Sequence, residues 1–324
     1  MNCFRRLCML AIGIDVGGTS IKGAAVDSYG KVYDVFSMAT KKDESGEKVV
    51  IDLCNLIKKY LKEQNFKEPI LGVGVGIPGV INTEDGIVSY SANLPLWEDL
   101  HIKDIMEKEL GLPVRITNDA NAAAFGEAKF GAGKDYATTI MITLGTGVGG
   151  GVVLNGELFE GNQGKGTELG HITLVLNGRD CGCGRKGCFE QYASATGLIA
   201  DTSASMRKHP DSLMNDVARE LGCVDARVPF IAEKRGDRFA HEVVENYIVY
   251  LGEGLLNYCN IFRPNMIILS GGVANEGEAF LARLNQYLLD HDFGYKRTPN
   301  VLLSIAKLGY NSGKIGAAAL FFGK

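Results

Sequence analysis

Positive charge is not in excess in this sequence: 34 Lys and Arg stand against 38 Asp and Glu, for a formal net charge of −4. No overall basic footprint is offered to nucleic acid, which is excluded as the expected partner. The apolar stretch Leu7 to Ile14 is too short to span a bilayer, and no membrane partner is expected. It follows Arg5 and Arg6 and runs straight into Asp15 with no small-residue cleavage site, so it reads as a short tail entering a first strand. No Pro/Ser-rich linker or low-complexity run divides the chain. A disulfide framework is disfavoured too. Of eight cysteines, Cys3, Cys8, Cys54, Cys223 and Cys259 are scattered, while three crowd into Cys181 to Cys188. That distribution fits a reduced cytoplasm with one local metal site.

What is present is enough apolar sequence for two packed lobes: 46% hydrophobic residues in a chain of 324. Leu10 to Ile14, the turn at Gly17 and Gly18, Ile21 to Val26 and the turn Ser28 to Gly30 read as strand, turn, strand. Lys48 to Gln64 carries Val49, Val50, Leu53, Leu56, Ile57, Tyr60 and Leu61 at helical spacing, and Ile70 to Ile77 follows as a buried strand. Ile14-Asp15-Val16-Gly17-Gly18 has a counterpart in Ile142-Thr143-Leu144-Gly145-Thr146, each followed by an apolar strand and a polar turn. An internal duplication is therefore expected. The predicted organisation is a small α/β lobe over 1–118 and 310–324 and a larger one over 119–309, around a cleft hinged near Asn118. Ser312 to Phe322 is predicted to be a helix packing back on the first lobe.

Glycine turns let backbone N–H groups approach phosphate oxygens, and two of them from similar half-molecules suit a triphosphate. Gly145-Thr146-Gly147-Val148-Gly149-Gly150 contains a GxGxxG match, but Val152 to Leu158 reads as a strand and hairpin turn where a dinucleotide fold needs a helix. No P-loop is present either, because Gly164-Lys165 is followed by Gly166 instead of Ser or Thr. Val114 to Thr117 reads as a strand, and Ala120 to Lys129 as an alanine-rich helix. Asp119 thus sits at a strand-to-helix junction, as a helix cap or as a reactive carboxylate. Cys181, Cys183 and Cys188 with His171 make a closed tetrahedral zinc shell, structural because protein fills all four positions. Folding that loop brings Glu168 and Glu190 together, two carboxylates of the kind sugar hydroxyls need.

These glycine turns, with Ser270-Gly271-Gly272-Val273, resemble the two phosphate loops and the adenosine loop of the actin, Hsp70 and sugar-kinase superfamily. Glu168-Leu169-Gly170-His171 and Cys181 to Glu190 resemble the ExGH and CxCGxxGCxE elements of the ROK family of repressors and sugar kinases, most closely its bacterial-type glucokinases. The likeness runs from Leu10 to the C-terminus and implies a duplicated ribonuclease-H-like α/β fold. It implies ATP and Mg²⁺ at Asp15, Gly17, Gly18, Thr19, Lys22, Gly145, Thr146 and Gly147, with Gly271 and Gly272 beside adenosine. Gly79, Asn93, Asn118, Asp119, Glu168, His171 and Glu190 would contact a hexose. Asp119 would accept the proton of its 6-hydroxyl. Glucose is the leading substrate, with N-acetylmannosamine, mannose and fructose as rivals, and a homodimer or homotetramer is implied. Thr167, where many glucokinases have a small residue, and the variant run Asn93 to Trp97 bear on sugar preference. Trp97 itself is expected to pack in the core. A DNA-binding sugar sensor would need a helix pair before the first glycine turn, and about a dozen residues precede Asp15. A chaperone-like or filament-forming ATPase would give no reason for the zinc loop.

Overall fold

The computed structural model describes residues 9–294 and 297–323. The predicted tail with Cys3, Arg5, Arg6 and Cys8 lies outside the described residues. In chain order the elements are β1 (Leu10–Val16), β2 (Ser20–Asp27), β3 (Val32–Ala39), α1 (Gly46–Gln64), β4 (Ile70–Ile77), β5 (Val80–Asn82) and β6 (Ile87–Tyr90). Next come α2 (Ile102–Leu110), β7 (Val114–Asn118), α3 (Asp119–Phe130), β8 (Thr139–Leu144), β9 (Val148–Leu154) and β10 (Glu157–Phe159). A helical stretch follows with α4 (Glu190–Ala193), α5 (Ala195–Lys208), α6 (Met214–Leu221), α7 (Val228–Lys234) and α8 (Arg238–Phe262). The chain then forms β11 (Met266–Ser270), α9 (Glu278–His291), β12 (Leu302–Ile305) and α10 (Ser312–Ala319).

The duplication expected from the glycine turns is present in the topology. One five-stranded sheet runs β3-β2-β1-β4-β7 and the other β10-β9-β8-β11-β12, so both place their strands in the same order. In the first, β1–β2 and β2–β3 pair antiparallel while β1–β4 and β4–β7 pair parallel. In the second, β9–β10 is antiparallel, and β8–β11 and β11–β12 are parallel. Central strands buried on both faces read as continuous apolar runs, which is why Leu10 to Val16 and Ile70 to Ile77 are legible, whereas the edge strand β3 alternates partly exposed residues.

The chain forms two compact units. The first comprises the described residues up to Ala137, Gly151–Thr167 and the segment from Lys307; the second is Thr138–Gly150 with Glu168–Ala306. In the first unit α1 lays Val49, Val50, Leu53, Ile57 and Tyr60 on one face of the sheet, in a core that also buries Trp97. The opposite face carries α3 and α10, with Phe125, Ala128, Ile315, Ala318 and Phe322 in a second cluster. A methyl at Gly316 would stand 1.6 Å from the Ala122 carbonyl oxygen, and one at Gly74 would stand 1.8 Å from that of Ala317. Backbones touch directly there, and only glycine permits it. In the second unit, the 25-residue α8 packs Tyr247 against Phe230 and Phe280. Asp237 caps it, accepting from the Phe239 and Ala240 amides.

These compact units divide the chain at other places than Asn118 and residue 310. α3 belongs to the first unit because it packs backbone to backbone on α10, whose unit membership begins at Lys307. Gly151–Thr167 joins the same unit through one side-chain and one backbone bond that no sequence pattern announces: Thr117 Oγ1 donates to Glu160 Oε1 at 2.5 Å, and the Thr83 amide donates to the Gln163 carbonyl at 3.1 Å.

Candidate active site

The residues singled out in the sequence fall into two sets, one in each unit. In the first unit, Asp15 lies one residue from the end of β1, opposite Lys22 of β2. The turn between them is closed by the Gly17 amide donating to the Ser20 carbonyl at 3.0 Å, and Thr40 Oγ1 donates to the Gly17 carbonyl at 2.7 Å. Burial pushes the Asp15 carboxyl above its ordinary value, and the nearby cations Lys314 and Lys22 oppose that rise. Lys314 is a residue the sequence reading missed. It is 2% exposed on α10, with Nζ donating to the Tyr310 carbonyl at 3.2 Å, and burial lowers its own pKa. A single lysine in the small apolar run Gly313 to Ala319 was the available signal.

At the other end of the same sheet, β7 delivers Asn118 and Asp119 to the start of α3. Asn118 is the N-cap, its Oδ1 accepting from the amides of Ala120 at 2.9 Å and Asn121 at 3.4 Å. Asn118 Nδ2 donates to the Gly79 carbonyl at 3.1 Å, which joins two of the predicted sugar-binding residues. Gly79 has φ 126°, and a side chain there would meet the Tyr90 carbonyl at 2.2 Å. Asp119 is the first residue of α3, with Oδ1 accepting from the Ala120 amide at 2.9 Å. Asn118 is thus the N-cap, and Asp119 shares the Ala120 amide with it. Asn93 is exposed, and it and Lys42 are the groups nearest to Gly18.

In the second unit, the ligand atoms of His171, Cys181, Cys183 and Cys188 lie within 4.8 Å of one another. Two isolated backbone bridges, Thr173 to Cys188 and Asp180 to Lys186, fold the loop on itself, and Gly184 and Gly187 take φ of 87° and 73°. Cys181 Sγ is 3.6 Å from His171 Nδ1, and Cys183 Sγ is 3.6 Å from Cys188 Sγ. A tetrahedron with zinc–sulfur bonds of about 2.3 Å has edges of about 3.8 Å, so the four donors fit zinc. Burial and the adjoining thiols push Cys188 up to about 12. A divalent cation at the centre would let three thiolates stand this close.

The Cys/His cradle is wired to the glycine turn of β8 and β9 through Glu190. Glu190 Oε1 is 3.8 Å from Cys181 Sγ, while Oε2 accepts from the Val148 amide at 3.0 Å. A side chain at Gly147 would meet that carboxylate at 2.3 Å. The turn is further pinned by the Ala195 amide donating to the Gly145 carbonyl at 2.9 Å and by Thr196 Oγ1 donating to the Thr146 carbonyl at 2.7 Å. Gly271, with φ 90°, presses on the backbone of Leu144, and nothing crowds Gly272. Glu168 is exposed at the start of the short turn Leu169–His171, its carbonyl accepting from the His171 amide at 3.0 Å.

Paired sheets of equal strand order, each opening with a glycine turn, define the actin, Hsp70 and sugar-kinase class of duplicated ribonuclease-H-like folds. A ROK-family glucokinase from Streptomyces griseus, solved with glucose and AMPPNP, superposes with a TM-score of 0.76 at 33% identity, covering 96% of this chain and 98% of that one. The ROK family profile matches residues 11–324, and the chain belongs to the ROK family. The glucokinase of Halalkalibacterium halodurans is 36% identical over 315 residues, 95% of this chain and 94% of its own. The xylose repressor of Caldicellulosiruptor bescii is 30% identical over 310 residues, 95% of this chain but 77% of its own.

Proposed function

We propose that the protein is an ATP-dependent hexose kinase that phosphorylates the 6-hydroxyl, with glucose the leading substrate. The observation that carries this reading is the Asp119 carboxylate at the head of α3, where Asn118 already performs the capping. In this reading Asp119 orients the sugar hydroxyl and takes its proton as the oxygen bonds to phosphorus. The amides of the two glycine turns receive the phosphate oxygens, and Gly271 and Gly272 lie against adenosine. Asp15 fits a magnesium ion, which takes one or two carboxylates beside substrate phosphates and would supply charge neutralisation to the transferring group. Gly79, Asn93, Asn118, Glu168, His171 and Glu190 bind the sugar hydroxyls, and the zinc cradle fixes the last two. Near-complete coverage of the glucokinases and the glucose-bound relative support this substrate.

The six described cysteines are free of disulfides, and among the described residues no helix is long and apolar enough to cross a membrane. The test is a panel of glucose, mannose, fructose and N-acetylmannosamine with ATP and magnesium, following ADP release. Glucose-dependent release is expected. Glucose binding without turnover would favour a sensor like the repressor relative, and sugar-independent release would favour an ATPase.

A further inference from the structure

Asp119 can act only if the turn that carries it is held still, and the atoms holding that turn come from a loop some forty residues later in the chain. Thr117, fully buried, precedes Asn118 and Asp119, and Asn121, 3% exposed, follows them. Thr117 Oγ1 donates to Glu160 Oε1 at 2.5 Å, and the Asn121 side chain lies close enough to the same carboxyl group to hold its pKa down. Glu160 thereby grips the residues on both sides of the Asn118-Asp119 pair. Its own loop is closed by the Gly166 amide donating to the Glu160 carbonyl at 2.7 Å, with Gly161 and Gly166 pressed together.

The grip extends to the residue before Glu168. Thr167 adopts φ 58°, a conformation strained for a β-branched residue, and its Oγ1 donates to Asn121 Oδ1 at 3.3 Å. Asn121 therefore stands between Glu160 and Thr167. Burial pushes the Glu160 carboxyl above its ordinary value, against the lowering effects of Thr117 and Asn121. Glu160 is half-buried, and an apolar side chain would fill that place without the desolvation penalty of a carboxylate.

We propose that Glu160 is a positioning residue for the transfer step, clamping Thr117 and Asn121 so that the Asn118-Asp119 turn and Thr167 keep one geometry. This rests on the hexose-kinase reading. Misplacing a reacting group by about 1 Å can lower the rate about 100-fold. Glu160→Ala is accordingly expected to lower kcat for glucose about 10- to 100-fold, with KM for ATP changed less than about 2-fold. Glu160→Gln keeps one acceptor and is expected to fall between the two. Thr117→Val removes one arm of the same clamp, so adding it to Glu160→Ala should lower kcat by less than the product of the single effects.

The experiment measures kcat, KM and Tm for these variants, together with amide hydrogen exchange over residues 117–123. Lost kcat with non-additive Thr117→Val, and faster exchange at 117–123, is the expected result. A Glu160→Ala enzyme with wild-type kcat, even with lowered Tm, overturns the proposal by leaving only a structural role. Should Glu160→Ala fail to fold, Glu160→Gln and Thr117→Val carry the same comparison. If the wild type releases no ADP with any sugar, the kinase reading fails and the positioning role for transfer falls with it. Exchange at 117–123 then reports separately whether the clamp holds the turn, and unchanged exchange removes the clamp as well.

Discussion

Stripping zinc from the Cys181–Cys188 loop is expected to unravel more than the loop. The two donor separations of 3.6 Å match the edges of a tetrahedral shell, so the apo loop must hold three thiols in van der Waals contact with no bond between them. Cys188 is fully buried, and the next residue, Phe189, packs on Tyr258 of α8 and fills the space that Gly254 leaves open. Glu190 then reaches the Val148 amide, so the disturbance passes from cradle to glycine turn within three residues. A ligand at a thousand times its dissociation constant stabilises by about 4 kcal/mol. For a unit of this size each kcal/mol shifts Tm by about 2–4 °C, which gives a loss of about 8–16 °C. The assay is scanning calorimetry before and after a high-affinity chelator, with metal analysis of the purified chain. One zinc per chain is expected, lost in Cys188→Ser but retained in Cys223→Ser, whose exposed thiol lies outside the cluster. A chain that lacks zinc yet melts at the same temperature with and without chelator would refute the reasoning.

Asp119→Ala should lower sugar-dependent turnover by about 100- to 10,000-fold while nucleotide affinity and zinc content stay near wild type; wild-type turnover would remove Asp119 from the chemistry. Gly316→Ala drives a methyl into the Ala122 carbonyl, and urea unfolding should record a loss of at least about 1–3 kcal/mol. Asp237→Ala removes the α8 cap and should cost about 1–2 kcal/mol at pH 7. Burial raises the Asp237 carboxyl, but hydrogen bonds from Ser212 and from the Ala240 and Phe239 amides outweigh it and hold the pKa low. A depressed folded-state pKa contributes stability that is present above the unfolded value and lost as pH falls through the folded one. The gap between Asp237→Ala and wild type should therefore narrow below about pH 4, and urea midpoints that widen there would contradict the assignment.

Elements buried on both faces, or wound with one apolar stripe, were legible because local pattern and tertiary role coincide. Ile70–Ile77 reads as a strand and forms one, and the helix read from Lys48 begins two residues earlier, at Gly46, behind the Ser45 cap. The duplication was legible for a related reason, since each glycine turn follows the central strand of its sheet. The unit boundary was not. It depends on Glu160, Gln163 and Gly164 meeting Thr117 and Thr83, and hydrogen bonds between residues so far apart leave no periodicity in a sequence. Lys314 was hidden differently, as one cation in a helix whose small residues announce close packing and nothing about charge.

Thr167 joins these two kinds of information. In the sequence it is an oddity, a β-branched residue where many glucokinases have a small one, and its identity alone suggests an altered sugar preference. Its φ of 58° supplies a backbone reason for a small residue at that position, because the left-handed region is open to glycine and strained for threonine. The hydroxyl bonded to Asn121 Oδ1 offsets part of that strain, so the oddity belongs to the clamp behind Asp119. Departures from a family pattern are therefore better weighed against backbone conformation first and substrate choice second.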